Sequence, residues 1–267
     1  MVIRPFLAMT AAEIRANPDI SSPIGWMACH FSPYGTGLSN LPEELPEESL
    51  LILYDRTPWW NHDPGLIGEQ LAECIDQLSC HGLLLDFQRP GVSEVAELVS
   101  LLCTGLPCPV AVTEAYCTNL SCPVFLPPVP LQQTVEEYLA PWQGREVWLE
   151  LALDCEAVTL TTEGAATTPL SRWSYPVEGH SDRNLHCHYR IEPREDTAVF
   201  TLHRSREDLV GLLEDAANCG VTTAVGLWQE LNSAIPYGRI LTLPYISILA
   251  CQESFLSFLS IALRRRC

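Results

Sequence analysis

Short unbroken apolar runs recur along the chain, separated by segments whose apolar residues fall at helical spacing. The runs at 25–31, 49–54, 81–90 (centred on Leu83, Leu84 and Leu85), 108–114, 122–126, 146–153 and 222–228 predict strands. Runs this short and this apolar are what a parallel sheet covered on both faces requires. Between them, Leu66, Ile67, Leu71, Cys74, Ile75 and Leu78 mark one helix, and Val95, Leu98, Leu101 and Leu102 a second. Shorter helices are expected over 10–16, with Thr10 as cap, and over 133–140. Ser205 caps a helix over 206–218 that ends at Cys219-Gly220. A last amphipathic helix is expected over 253–263, closed by Arg264–Arg266. Residues 1–24 read as an entry segment.

Alternating strands and helices are the signature of βα units. Seven or eight such strands in one chain predict an α/β fold, a (β/α)8-type TIM barrel. The period changes between 154 and 204, where 157–161, 186–191 and 197–202 alternate polar with apolar residues and turn residues separate them. That stretch is expected as a strand-rich insertion, a small α+β unit before the last strand, within a single barrel domain spanning 1–267.

Composition narrows the chemistry. The 267 residues carry a formal charge of −18, which argues against binding nucleic acid or anionic membrane. The sequence contains no lysine. A Schiff-base lysine and a phosphate-loop lysine are therefore excluded. A barrel enzyme of this composition works through carboxylates, histidines, thiols or a metal. No cofactor is expected. The 12 cysteines form no Cys-x-x-Cys pair, and the first residues are too short and broken for an export signal. Reduced, mostly buried thiols in a cytoplasmic protein are expected. No apolar run reaches the roughly 20 residues of a membrane span.

Candidate site residues follow from the barrel, because these folds place their chemistry just past the C-terminal ends of the strands. Asp86 and Gln88 end the 81–90 strand two residues apart and so share one side of it. Asp86 also has the plainer role of bonding backbone amides, and Gln88 that of bonding a loop carbonyl. Glu114, with Tyr116 two residues on, ends another strand and is the candidate second carboxylate; a solvated loop charge is its alternative. His30, Tyr34 and Asp55 end or follow the early strands and are expected on the cleft wall. Trp59, Trp60 and Trp228 offer aromatic faces on which sugar C–H groups pack, whereas Trp148 reads as core. His186 and His188 lack an evident third ligand, so no metal site is expected.

The segment His81-Gly82-Leu83-Leu84-Leu85-Asp86-Phe87-Gln88 resembles the Asp-Gly-x-Asp-x-Asp-x-Glu strand of the chitinase-like glycoside hydrolases of family 18. The later order of strand, insertion, helix and a final strand ending in Trp228 is similar too. The resemblance spans residues 50–230 and matches at Gly82, Asp86 and Trp228. It implies a TIM barrel that binds a glycan or other small ligand at its C-terminal face, with Trp228 as the floor. His81, Leu84 and Gln88 depart from the motif, and Gln88 stands where the family has its general acid. An amide donates no proton to a leaving oxygen, so the family's hydrolysis is expected to be lost. The alternatives are a working hydrolase that uses Asp86 and Glu114, and a protein-interaction scaffold.

Overall fold

A computed structural model of the chain describes residues 3–55, 62–89, 93–117, 121–170 and 179–231. Trp59, Trp60, the helix expected over 253–263 and Arg264–Arg266 lie outside the described residues. In chain order the first elements are β1 (Arg4–Met9), α1 (Ala11–Ala16), β2 (Gly25–Phe31), β3 (Leu38–Ser39) and β4 (Leu50–Tyr54). Next come α2 (Pro64–Gln77), β5 (Gly82–Asp86), α3 (Ser93–Gly105), β6 (Val110–Thr113), β7 (Val124–Leu126), α4 (Val135–Leu139) and β8 (Val147–Leu151). Among the described residues, eight parallel strands, β1, β2, β4 to β8 and the final β14 (Val221–Leu227), form a ring that closes where β1 pairs with both β14 and β2. With helices between strands, this is the expected TIM barrel.

β1 corrects the reading of residues 1–24 as an entry segment. Arg4-Pro5-Phe6-Leu7-Ala8-Met9 opens with a charge and a proline, and proline in a strand flanked on both sides is rare. Its place is set by the neighbours: Arg4 to Ala8 run in register with Thr223 to Leu227. The two-residue β3 adds antiparallel to β2.

Side-chain alternation divides the apolar residues into two cores. Phe6, Ala8, Leu50, Ile52, Leu84, Ala111, Phe125, Trp148 and Val225 form one cluster inside the ring. Their neighbours in sequence, among them Leu51, Leu53, Leu83, Leu85, Val112, Val124, Leu149 and Ala224, point outward to the helices. Gly82 has a local reason: a Cβ there would lie 2.7 Å from the Pro109 carbonyl oxygen and 3.2 Å from the Trp148 ring. The indole fills the barrel floor where a side chain at 82 would otherwise stand. His81 sits below it, stacked between Phe6 at 5.6 Å and Trp148 at 6.4 Å. The Arg4 guanidinium donates to His81 Nδ1 (2.6 Å) and to Glu48 (2.7 Å). Burial first, and then Arg4, hold the imidazole pKa below its ordinary value. Position 81 is therefore part of the closed N-terminal face, remote from the mouth.

Between β8 and β14 lies the insertion. β9 (Cys155–Thr161), β10 (Gly164–Pro169), β11 (His180–Asp182), β12 (Cys187–Pro193) and β13 (Ala198–His203) make a five-stranded antiparallel sheet in the order β10-β9-β13-β12-β11. α5 (Arg206–Asn218) follows it and belongs to the barrel, burying Leu209, Leu212, Leu213 and Ala216 against the outer core. The sheet docks through Leu131, Val158, Cys187 and Leu202. Arg204, 4% exposed, donates from the same junction to the carbonyls of Val129 (2.8 Å) and His186 (3.1 Å). The chain's last described element is α6 (Trp228–Leu231). No helix among the described residues is long and apolar enough to cross a membrane.

Candidate active site

Since Leu84 faces the barrel interior, alternation along β5 turns Asp86 to the same side at its C-terminal end. Register places His30 beside Tyr54 and Tyr54 beside Asp86, so three polar side chains follow one another around the mouth. His30 is held by its neighbours: its ring contacts Tyr54 edge-on at 5.8 Å, and its Nδ1 lies 2.9 Å from the Phe31 carbonyl oxygen.

The segment after Asp86 is clamped from both flanks. On the β4 side, Asp55 Oδ2 accepts from the backbone N–H groups of Gln88 (3.1 Å) and Arg89 (2.9 Å). From the β6 side, Thr113 donates to the Phe87 carbonyl (2.7 Å), and the Tyr116 hydroxyl donates to that of Arg89. Asp55 and Tyr116, expected as ligand contacts, thus hold the loop that carries Gln88. The Gln88 amide donates to Asp86 Oδ1. Burial raises the Asp86 pKa, the Gln88 hydrogen bond draws it back down, and the Asp55 charge adds to the rise.

Across the mouth stands a carboxylate absent from the candidates taken from sequence. Glu150 follows Trp148 by two residues on β8 and shares its inward side. Burial pushes its pKa up to about 7, helped by the charges of Asp86, Asp154 and Glu230. A carboxyl beside an ionised one keeps its proton near neutral pH for this reason. Tyr138 lies alongside; burial first, and then Glu114 and Glu150, raise its pKa to about 12, and its hydroxyl donates to the Pro127 carbonyl (3.0 Å). The signal for Glu150 was available: it is the one charge within the Val147–Leu151 run, in phase with an indole of the barrel core.

The other expected residues are placed differently. Glu114 begins a single 3-10 turn (Glu114–Tyr116) and is exposed, near Tyr138. Tyr34 is 98% exposed in the loop between β2 and β3. Trp228, expected as a floor, packs in a small cluster at the end of β14. It begins α6, one residue past the inward-facing Leu227, and is 6% exposed in a cluster with Met9 and Ile24 that includes Ile14 of α1. His186 and His188 of the insertion each meet a carboxylate of α5, Asp215 at 2.7 Å and Asp208 at 3.4 Å. No group of three metal-ligating side chains occurs among the described residues.

No protein-family model matches the chain, and no curated protein matches it. Solved structures do. The spore cortex-lytic enzyme SleL of Bacillus cereus is similar at 10% identity and TM-score 0.48, over 84% of this chain and 70% of that one. SleL of Bacillus megaterium gives 10% identity and TM-score 0.47 over the same shares. The C-terminal domain of a candidate chitinase from Desulfitobacterium hafniense gives 9% and 0.41, over 67% of this chain and 72% of that one. Likenesses at this level do not speak to chemistry, which rests on the residues at the barrel mouth.

Proposed function

We propose that the barrel binds a glycan or other small polyhydroxylated ligand at its C-terminal mouth, against Asp86, Gln88 and Glu150, and does not run hydrolysis through position 88. One observation carries this reading. Gln88 points with Asp86 toward the mouth and spends its amide N–H on the Asp86 carboxylate, so the position where the resembled family keeps its acid holds no transferable proton. Clamping of the 86–89 segment supports it too, since a pre-positioned carboxylate and amide suit hydroxyl recognition.

A second reading is favoured by Glu150. A carboxyl with a pKa near 7, beside a carboxylate, has the pairing that glycoside hydrolysis uses, one group protonated and one ionised. In that reading Glu150, rather than the exposed Glu114, partners Asp86 as the acid.

Assaying chromogenic chito-oligosaccharides with the wild-type chain, Gln88→Glu and Glu150→Gln separates the two. The first reading expects ligand-induced thermal stabilisation of all three with no turnover by the wild type. Turnover at about 1 s⁻¹ or above, abolished by Glu150→Gln, would establish the second. Absence of any ligand-induced shift across a glycan panel would overturn both.

A further inference from the structure

One edge of the insertion's sheet is open. β10 stands last in the order β10-β9-β13-β12-β11, and among the described residues no strand pairs with its outer side. Every residue of Gly164-Ala165-Ala166-Thr167-Thr168-Pro169 is exposed, and none carries a charge. The opposite edge is guarded differently: β11 is three residues long and includes His180 and Asp182. Short strands and charged side chains are the ordinary protection of a sheet edge, whereas β10 has only a proline at its end.

Register shows which backbone groups β10 offers. It runs antiparallel to β9, from Gly164 opposite Thr161 to Pro169 opposite Glu156, and the Leu170 N–H donates to the Cys155 carbonyl (2.8 Å). Antiparallel partners alternate between hydrogen-bonded and non-bonded pairs. Counting back from Leu170, Thr168, Ala166 and Gly164 bond to β9, while Ala165, Thr167 and Pro169 turn their backbone groups outward. Proline has no N–H to offer. The open donors of β10 are therefore Ala165 and Thr167, placed symmetrically about Ala166.

We propose that β10 is a self-association edge: a second copy of this chain adds its own β10 antiparallel, about a two-fold axis at Ala166, and the two sheets become one. Symmetry argues for a second copy as the occupant. Turning the segment about Ala166 sets Ala165 opposite Thr167 of the second copy and Thr167 opposite its Ala165, so each outward N–H meets an outward carbonyl. The neighbouring register, in which Thr167 opposes itself, sets Ala165 against Pro169, where a donor is missing. Side chains along the junction are small and uncharged, so the formal charge of −18 is not concentrated there. An apolar row also continues across it. Leu160, 39% exposed, lies beside Ala165, and beyond Thr167 of the second copy follow its Val158 and Phe200. A single edge covers less than the roughly 1,200 Å² of a standard interface, so the dimer is expected at protein concentrations of about 0.1 mM and above.

Cysteine pairing tests the register. Directly opposed residues of a non-bonded antiparallel pair lie about 4.5 Å apart between Cα atoms, within reach of a disulfide. Ala166 opposes itself in such a pair. Under mild oxidation in moderate salt, which screens the repulsion between two acidic chains, Ala166→Cys should yield a dimer linked through position 166. The linked fraction should be at least about fivefold that of Thr168→Cys, which opposes Gly164. Peptide mapping separates this link from any made by the native cysteines. Sedimentation of the wild type from about 10 µM to 0.5 mM should show the mass rising from monomer towards dimer. Thr167→Pro removes an outward donor, keeps every backbone bond to β9 and gives up the Gln132 side-chain contact; it should stay monomeric with the wild-type circular dichroism. A wild type that remains monomeric throughout overturns the proposal and leaves the edge to an extended peptide of another protein. A dimer that Thr167→Pro leaves intact, or that Ala166→Cys links no better than Thr168→Cys, overturns it as well.

Discussion

Replacing Glu150 by Gln should stabilise the protein at alkaline pH and leave it nearly unchanged at acid pH. Glu150 keeps its proton in the fold up to about pH 7, whereas the ordinary carboxyl value is 4.5. Between those values the unfolded chain binds fewer protons than the folded one, so stability falls as pH rises through the window and is level on either side. The full rise corresponds to at most about 3.4 kcal/mol between protonation states. Screening at a half-buried carboxyl in a solvent-facing mouth reduces this to about 1–2 kcal/mol. Glutamine mimics the protonated form at every pH, so the variant escapes that loss. Thermal unfolding at pH 5 and pH 8 measures it: the variant should melt with the wild type at pH 5 and a few degrees above it at pH 8. Asp86, whose pKa is raised by burial, adds a slope of the same sign, so the double variant with Asp86→Asn should be flatter still. If Glu150→Gln gains nothing at pH 8, or gains as much at pH 5, the carboxyl is not held protonated by the fold and the reasoning fails.

Other substitutions probe the scaffold around the mouth. Asp55→Ala strips the acceptor from the Gln88 and Arg89 amides and should cost about 1–3 kcal/mol, read as a lower melting temperature. Gly82→Ala forces a methyl against the Pro109 carbonyl and the Trp148 ring and should cost about 1–3 kcal/mol. Arg204→Ala leaves the Val129 and His186 carbonyls without their donor and should destabilise by about 3 kcal/mol, with the insertion the first part to be cut by protease.

Much of this barrel is legible in the sequence because its strands are short, apolar and bounded by turn residues. The 81–90 segment shows why side-chain direction was legible as well: with Leu83 and Leu85 claimed by the helices, Asp86 has to face the axis. Three features were not. β1 hides behind Pro5 and takes its place from tertiary pairing with β2 and β14. Glu150 reads as a blemish in an apolar run until the barrel closes and sets it across from Asp86. Trp228 misleads for the opposite reason: its position at the end of the last strand suggests a floor, but helix α6 starts at that residue and its indole packs beside Met9 and Ile24. Asp55 and Tyr116, expected as ligand contacts, bond the backbone of Gln88 and Arg89 instead, a role that side-chain type alone does not reveal.

Calorimetric titration of N-acetylchitotetraose into the wild-type chain and into Asp86→Ala tests the central claim most directly. A ligand seated against the Asp86–Gln88 pair should bind the wild type and lose at least tenfold in affinity when the carboxylate is removed, about 1.4 kcal/mol. Equal affinity for the wild type and Asp86→Ala would contradict the assignment of the barrel mouth as the binding site.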